Sequence, residues 1–411
     1  MKQPIRIGFI GAGFVANFHA RALQSVRGAE VTTILERRGS PELAAKIAAN
    51  DLGEPRIVPT IADVCAGCDV VAILNPNFAR IGTMEQIAEA AARNLLMGVI
   101  VDKPLGRNCG EAAAMVRLAQ EAGLRTGYFE NQIHMPDVTE TRRQLTDVAA
   151  TMGPVHLART AEEHGGPHEA WFWDPRRQGG GTWSDMGCHS VAVGSYICTP
   201  DGEAPDFLVP FSVTSNLALL KWGRDPWRSQ LLATHGVDYD KVPAEDYANV
   251  TITFRNPKTG QLVVVQATNS WMYDAPGLRL LMEGMAGGYS SGVDTLRSPT
   301  EIFISDAAAA QVANSELALE KSQSSRGRLT LLADEPRLYG YEAEWRDALA
   351  AFREGRDAML NFSYGAWVTR LVMAGYYAHE QGETIDPAEM PDNYIPRIQQ
   401  GRGNEVLSSI A

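Results

Sequence analysis

Short apolar runs alternate along the first third of the chain with stretches in which apolar positions recur every three to four residues. Ile5-Arg6-Ile7-Gly8-Phe9-Ile10 is such a run and predicts a buried strand, with a helix over residues 17–26 behind it. Glu30-Val31-Thr32-Thr33-Ile34-Leu35 predicts a second strand, Ile57-Val58 a short one, and 69–74, 99–101 and 125–129 three more. Between them, 41–50, 84–93 and 111–123 read as helices. Alternation of this length predicts a parallel, doubly wound sheet, whose ligands sit at the carboxyl ends of its strands.

Beyond about residue 135 the period changes. A helix over 135–150 is followed by runs at 155–159, 211–214, 249–254, 262–266 and 278–282, with 301–304 as a further strand. Several alternate polar and apolar positions, which predicts an antiparallel sheet with one covered face. Arg255-Asn256-Pro257-Lys258-Thr259-Gly260 reads as a hairpin loop, and 306–328, rich in Ala, Ser and Gln, as a surface excursion. Tyr341, Trp345, Leu349 and Phe352 form a helical stripe that predicts core packing, and 355–379 reads as one more helix. The expected fold class is an α/β Rossmann domain joined to an α+β domain with a mostly antiparallel open sheet.

Composition narrows the picture only a little. A length of 411 residues suggests two or three domains, and 21% charged residues suit a globular chain. A net charge of −12 argues against a nucleic-acid partner, and no apolar run is long enough to span a bilayer. Met1-Lys2-Gln3-Pro4 enters a strand pattern at once, so no secretory signal is read there, and a cytoplasmic location is expected. Five cysteines do not make a disulfide framework. Cys65-Ala66-Gly67-Cys68 has metal-pair spacing but no second pair or histidine cluster beside it, so no metal is expected.

The chemistry concentrates at a few places. Gly11-Ala12-Gly13-Phe14-Val15-Ala16 follows the first strand as a dinucleotide fingerprint: a tight turn at Gly11, room for pyrophosphate at Gly13, and a small Ala16 where helix meets strand. Glu36 ends the second strand about 20 residues on, where ribose hydroxyls of NAD belong. Arg37 and Arg38 beside it are the kind of residue that accepts a 2′-phosphate, but Glu36 would repel that group, so NAD is expected. Asn75-Pro76, Asp102-Lys103 and Asn131-Gln132 fall at later strand ends. Lys103, fixed by Pro104, is placed to orient a substrate oxygen over a nicotinamide.

Further on, Gly179-Gly180-Gly181 reads as a flexible turn before a helix that Ser184 or Asp185 would cap. Asp185 and His189 then stand four apart on one face, an acid and a base able to hold a hydroxyl and move its proton. Upstream, His164, His168, Trp171, Trp173 and Arg176 crowd one segment. Indoles and imidazoles suit a sugar ring, and the arginine suits an anionic substituent on it. The competing reading is a loop pinned by buried tryptophans.

Together these motifs resemble the Gfo/Idh/MocA oxidoreductase family over nearly the whole chain. The resemblance implies that Lys103, Asp185 and His189 line a site where a sugar or polyol meets NAD(P). It also implies that the C-terminal helices return to the dinucleotide domain, giving domains 1–130, 131–335 and 336–411. Three positions depart from the family pattern: Asp102 replaces a glutamate, Ala79-Arg80 stands near a usual histidine, and Asn131-Gln132 replaces an arginine. The activity it implies is oxidation of a ring hydroxyl, C3 in many relatives, of a hexose, glycoside or cyclic polyol. Two alternatives remain: a redox-neutral hydrolase that retains NAD, with His164 or His168 as a second base, and a non-catalytic sensor. A homodimer or homotetramer is expected, joined by the outer face of the second sheet through Val263, Val265 and Ile252 or their alternates.

Overall fold

The structure, a computed structural model, describes residues 3–273, 279–286, 288–294, 301–304, 327–330 and 334–407. The chain forms two units. Met1–Thr139 and Pro336–Arg370 make the first; Glu140–Glu335 and Leu371–Ala411 make the second. The segment 336–411 therefore contributes to both.

In the first unit, β1 (Ile5–Ile10), β2 (Ala29–Leu35), β3 (Arg56–Val58), β4 (Val70–Ile73), β5 (Gly98–Asp102) and β6 (Arg125–Phe129) form one sheet in the order β3-β2-β1-β4-β5-β6. Every pairing is parallel, and the order reverses between β1 and β4, the crevice where such sheets take ligands. The strands lack polar alternation because both faces are covered: Val70, Val71, Ala72 and Ile73 are all fully buried. The helix after β1 spans Phe14–Leu23, starting three residues before its predicted position because Gly13 serves as N-cap. A helix over Ile61–Ala66, absent from the sequence reading, is capped by the Thr60 hydroxyl, which accepts from the Asp63 amide. It holds Cys65, and burial pushes that thiol up to about 11 and the buried Cys68 thiol further; both are packing residues.

The stripe of helix Tyr341–Arg353 packs on this sheet as its periodicity predicts. Trp345 stands edge-on to Phe129 with ring centroids 4.9 Å apart. The Phe352 ring takes the space at Gly98, where a Cβ would come within 2.9 Å of it.

The second unit is built on β7 (Leu157–Glu163), β8 (Val209–Ala218), β9 (Tyr247–Arg255), β10 (Leu262–Ser270), β11 (Arg279–Ala286) and β12 (Tyr289–Asp294), ordered β12-β11-β7-β10-β9-β8. All pairs are antiparallel except β7 with β10. The loop 255–260 is the predicted hairpin, closed by the Asn256 amide on the Gln261 carbonyl. β13 (Glu301–Ile304) and β14 (Gly327–Thr330) pair separately; the remainder of the expected surface excursion, 306–326, lies outside the described residues.

Helix Thr182–Cys198 lies on one face of this sheet, close enough that a Cβ at Gly194 would stand 2.4 Å from Val265. Val263, Val265 and Ile252 belong to this covered face and are fully buried, which corrects the expectation that they form the outer one. Register is the reason: Val265 pairs with Ile252 and Val263 with Phe254, so all four side chains point to the helix. The opposite face carries Asn249, Thr251, Thr253, Val264, Gln266 and Thr268, all at least partly exposed. Among the described residues no helix is long and apolar enough to cross a membrane.

Candidate active site

The strand ends of the first unit gather most of the cofactor residues read from the sequence. Gly11 leaves β1 at φ +132°, and a Cβ there would lie 2.4 Å from the Leu74 carbonyl oxygen, so the turn passes the end of β4 only as glycine. Gly13 differs: nothing among the described residues stands within 4 Å of where its Cβ would be. The ten-residue helix that starts beside it at Phe14 and Val15 has Gly13, which offers no side chain, as its N-cap, and Ala16 is buried. Glu36 is exposed just past β2, its amide bonded to Val58, while the Arg37 guanidinium turns back onto the Glu36 carbonyl at 2.7 Å. Past β4, Asn75 donates to the Thr83 hydroxyl at 2.7 Å, and Pro76 opens the turn Asn77–Ala79.

Lys103 directly follows β5, its amide bonded to the Phe129 carbonyl at 3.2 Å. Arg80, itself buried, donates to the carbonyls of Asp102 (2.5 Å) and Pro104 and so clamps the backbone on both sides of the lysine. Burial pushes the Asp102 carboxyl up, but His19, Arg80 and Lys103 together more than offset this and hold it below its ordinary value. Asn131 donates its amide to the Tyr339 carbonyl at 2.7 Å, and Gln132 follows it, buried, in the turn Asn131–His134.

In the second unit, Asp185 and His189 lie one turn apart on helix Thr182–Cys198, both buried. Gln178 donates to Asp185 Oδ1 at 3.5 Å. The N-cap is Gly181, not Ser184 or Asp185, and the cap comes from elsewhere in the chain. Glu245 Oε1 accepts from the amides of Gly181 (2.9 Å) and Trp183 (3.0 Å), and its main-chain carbonyl accepts from Thr182 (2.9 Å). The Tyr376 hydroxyl accepts from Ser184 (3.0 Å) and donates to Glu245 Oε1 (2.6 Å). A carboxyl and a phenol thus meet the amides that open the helix. The glycines are close-approach positions rather than a loose turn: a Cβ at Gly180 would clash with the Tyr376 hydroxyl, and one at Gly181 with the Glu245 carbonyl.

The segment leading to this helix divides. Trp173 is fully buried, edge-on to Trp222 (4.6 Å) and Trp271 (4.9 Å), with its indole N–H donated to the Pro167 carbonyl. Trp171 is only half-buried and stacks on Phe172 at 3.8 Å. His164 Nδ1 accepts from the Gly166 amide at 3.0 Å, and His168 is exposed. Arg176 grips Asp174 through two hydrogen bonds of 2.9 Å.

Two family descriptions match the chain. Residues 5–130 match "Oxidoreductase family, NAD-binding Rossmann fold", and residues 143–289 match the "GFO/IDH/MocA C-terminal domain". The chain belongs to the Gfo/Idh/MocA oxidoreductase family. D-glucoside 3-dehydrogenase of Escherichia coli (strain K12) is 25% identical over 201 residues, 48% of this chain and 54% of that protein, so the match spans about half of the relative's length. Among solved structures, GenD2 from gentamicin A biosynthesis, in complex with NAD, shares the fold at TM-score 0.73 and 20% identity, covering 94% of this chain and 97% of its own. A myo-inositol dehydrogenase from Corynebacterium glutamicum ATCC 13032 shares it at TM-score 0.65 and 17% identity, covering 94% and 99%.

The cofactor of this Gfo/Idh/MocA chain is NAD, and its residues fit that group. Gly13 leaves the space a pyrophosphate needs beside the N-terminus of a helix. Asn75 Oδ1, just past the end of β4, is buried with no hydrogen-bond partner among the described residues, an acceptor that a nicotinamide or ribose donor would satisfy. One sequence assignment needs correction: Trp173, expected on the sugar, is fully buried among other rings with its N–H committed. Asn131, expected on the cofactor, also gives one amide hydrogen to the Tyr339 carbonyl. Sequence reasoning missed Arg80, Glu245 and Tyr376 as supports of the site, and the signals were indirect: a basic residue opening the helix that follows a strand end, and glycines that leave room for something to approach.

Proposed function

We propose that the chain is an NAD-dependent dehydrogenase that oxidises a secondary ring hydroxyl, C3 in a hexose, of a hexose, glycoside or cyclic polyol. The observation that carries this reading is the buried pair Asp185 and His189 on one face of one helix. His189 takes the proton of the hydroxyl being oxidised, while Asp185 and Lys103 orient and polarise that hydroxyl. NAD, when bound, supplies the hydride acceptor. A buried imidazole does this work best when water is excluded and its angle to the hydroxyl is fixed, and Glu245 and Tyr376 fix the helix that carries it.

The residues assigned to substrate in this reading are His164, His168, Trp171 and Arg176 in the second unit and Gln132 in the first, with Trp171 as the aromatic surface for the ring's apolar face. The glucoside-oxidising relative supports a glycoside and the C3 position. The protein acts in the cytoplasm as a homodimer or homotetramer. Incubation with a sugar and glycoside panel in D2O tests the chemistry. NADH formed in step with product, without deuterium beside the oxidised carbon, is the expected result. Deuterium incorporation with aglycone release and no net NADH would replace the dehydrogenase by a hydrolase, and activity only on straight-chain alcohols or amino acids would sink both.

A further inference from the structure

Behind the Lys103 strand end lies a group of buried ionisable side chains that the reaction above does not use. His19, on the dinucleotide helix six residues past Gly13, is fully enclosed by Phe129, Tyr341 and Trp345, whose ring centroids lie 5.3–5.7 Å from its own. The Trp345 indole donates to His19 Nδ1 at 3.0 Å. An indole has no acceptor, so Nδ1 must carry the lone pair and the proton of the neutral ring sits on Nε2. That nitrogen faces Asp102 Oδ2 at 3.7 Å, a distance at which charge and dipole act without a direct hydrogen bond.

The other groups facing His19 are accounted for. Glu344 Oε1 is 4.0 Å from Nδ1, and burial, then the charges of Asp102 and Glu130, push its carboxyl well above the ordinary value. Arg80 and Lys103 are the cations within electrostatic reach of Asp102. Of the two carboxyls, Asp102 is the one held below its ordinary value, and the oriented dipole facing it at 3.7 Å is that of His19.

We propose that His19 is a positioning residue for Lys103: held in one tautomer by Trp345, it anchors the Asp102 carboxylate and with it the backbone on which the lysine stands. The link joins the helix that receives pyrophosphate to the strand end that meets substrate. It rests on the reading of Lys103 as a catalytic residue, but the contacts themselves do not.

The test follows the carboxyl resonance of Asp102 by NMR across pH, without substrate, in the full chain and its His19→Leu, His19→Gln and Trp345→Phe variants. His19→Leu raises the Asp102 midpoint by about one pH unit, and the acid limb of kcat moves up with it while NAD affinity stays within about twofold. Gln places a donor near the Nε2 position and returns the midpoint toward the wild-type value. Trp345→Phe frees the tautomer and shifts it in the same direction as Leu, by less. A folded His19→Leu protein with an unmoved Asp102 midpoint overturns the proposal. If that variant does not fold, an unmoved midpoint in Trp345→Phe overturns it instead. Because the titration needs no turnover, failure to oxidise any sugar would defeat the proposed function and leave this result standing.

Discussion

Glu245 meets its surroundings through one oxygen that accepts two backbone amides and a phenol, in a site closed to water. Burial outweighs those hydrogen bonds and pushes its carboxyl from 4.5 up to about 7. A folded-state value above the unfolded one means that the folded chain holds the proton more tightly. The resulting stabilisation is whole below about pH 4.5 and is lost as pH rises through about 7, a change on the order of 3 kcal/mol. The difference in thermal midpoint between wild type and Glu245→Gln should therefore shift steadily in favour of Gln from pH 5 to pH 8; parallel curves would contradict it. Within the reaction itself, Lys103→Ala and His189→Ala should each lower kcat by about two orders of magnitude or more, with NAD binding by fluorescence largely kept. Near wild-type turnover in either variant would remove that residue from the mechanism. Glu36→Ala should narrow the preference for NAD over NADP in paired titrations, since the carboxylate that repels a 2′-phosphate is then gone.

The helix that carries Asp185 and His189 starts only because Gly180 and Gly181 let Tyr376 and Glu245 reach its first amides. Gly181→Ala should thus cost roughly 1–3 kcal/mol in denaturant unfolding and lower kcat together with stability; an unchanged midpoint would mean the cap is dispensable. Elements of this kind mark where the sequence was legible. All six strands of the first sheet were readable, most clearly the central ones, where burial on both faces leaves apolar runs. The Asp185–His189 spacing was readable too, because four residues make one helical turn. The short helix Ile61–Ala66 had a signal, Thr60 three residues before Asp63, but too few residues to show a period. Glu245 and Tyr376 had none: their bonds to the Gly181 and Ser184 amides span 64 and 192 residues, and only the fold brings such positions together. The Gly-Gly pair announced close approach without naming the partner. Trp173 could be read two ways because an indole in a histidine-rich segment looks the same whether it faces a sugar or other aromatic rings.

At the scale of the whole molecule, the proposed assembly has a direct check. Light scattering at micromolar concentration should give a mass of two or four times the 44.7 kDa of one chain, and a mass of one chain would refute it. The polar outer face of the second sheet makes any such interface one of threonine and amide contacts as much as of hydrocarbon. A different consequence follows from the path of the backbone. Residues 336–370 belong to the unit that residues 1–139 begin, and they bring the Trp345 and Phe352 rings that cover His19, Phe129 and Gly98. On the ribosome, the parallel sheet emerges first yet stays uncovered on this side until nearly two hundred further residues have been made. The nascent dinucleotide domain must wait for residues 336–370, with an apolar flank open to holdase chaperones in the interval.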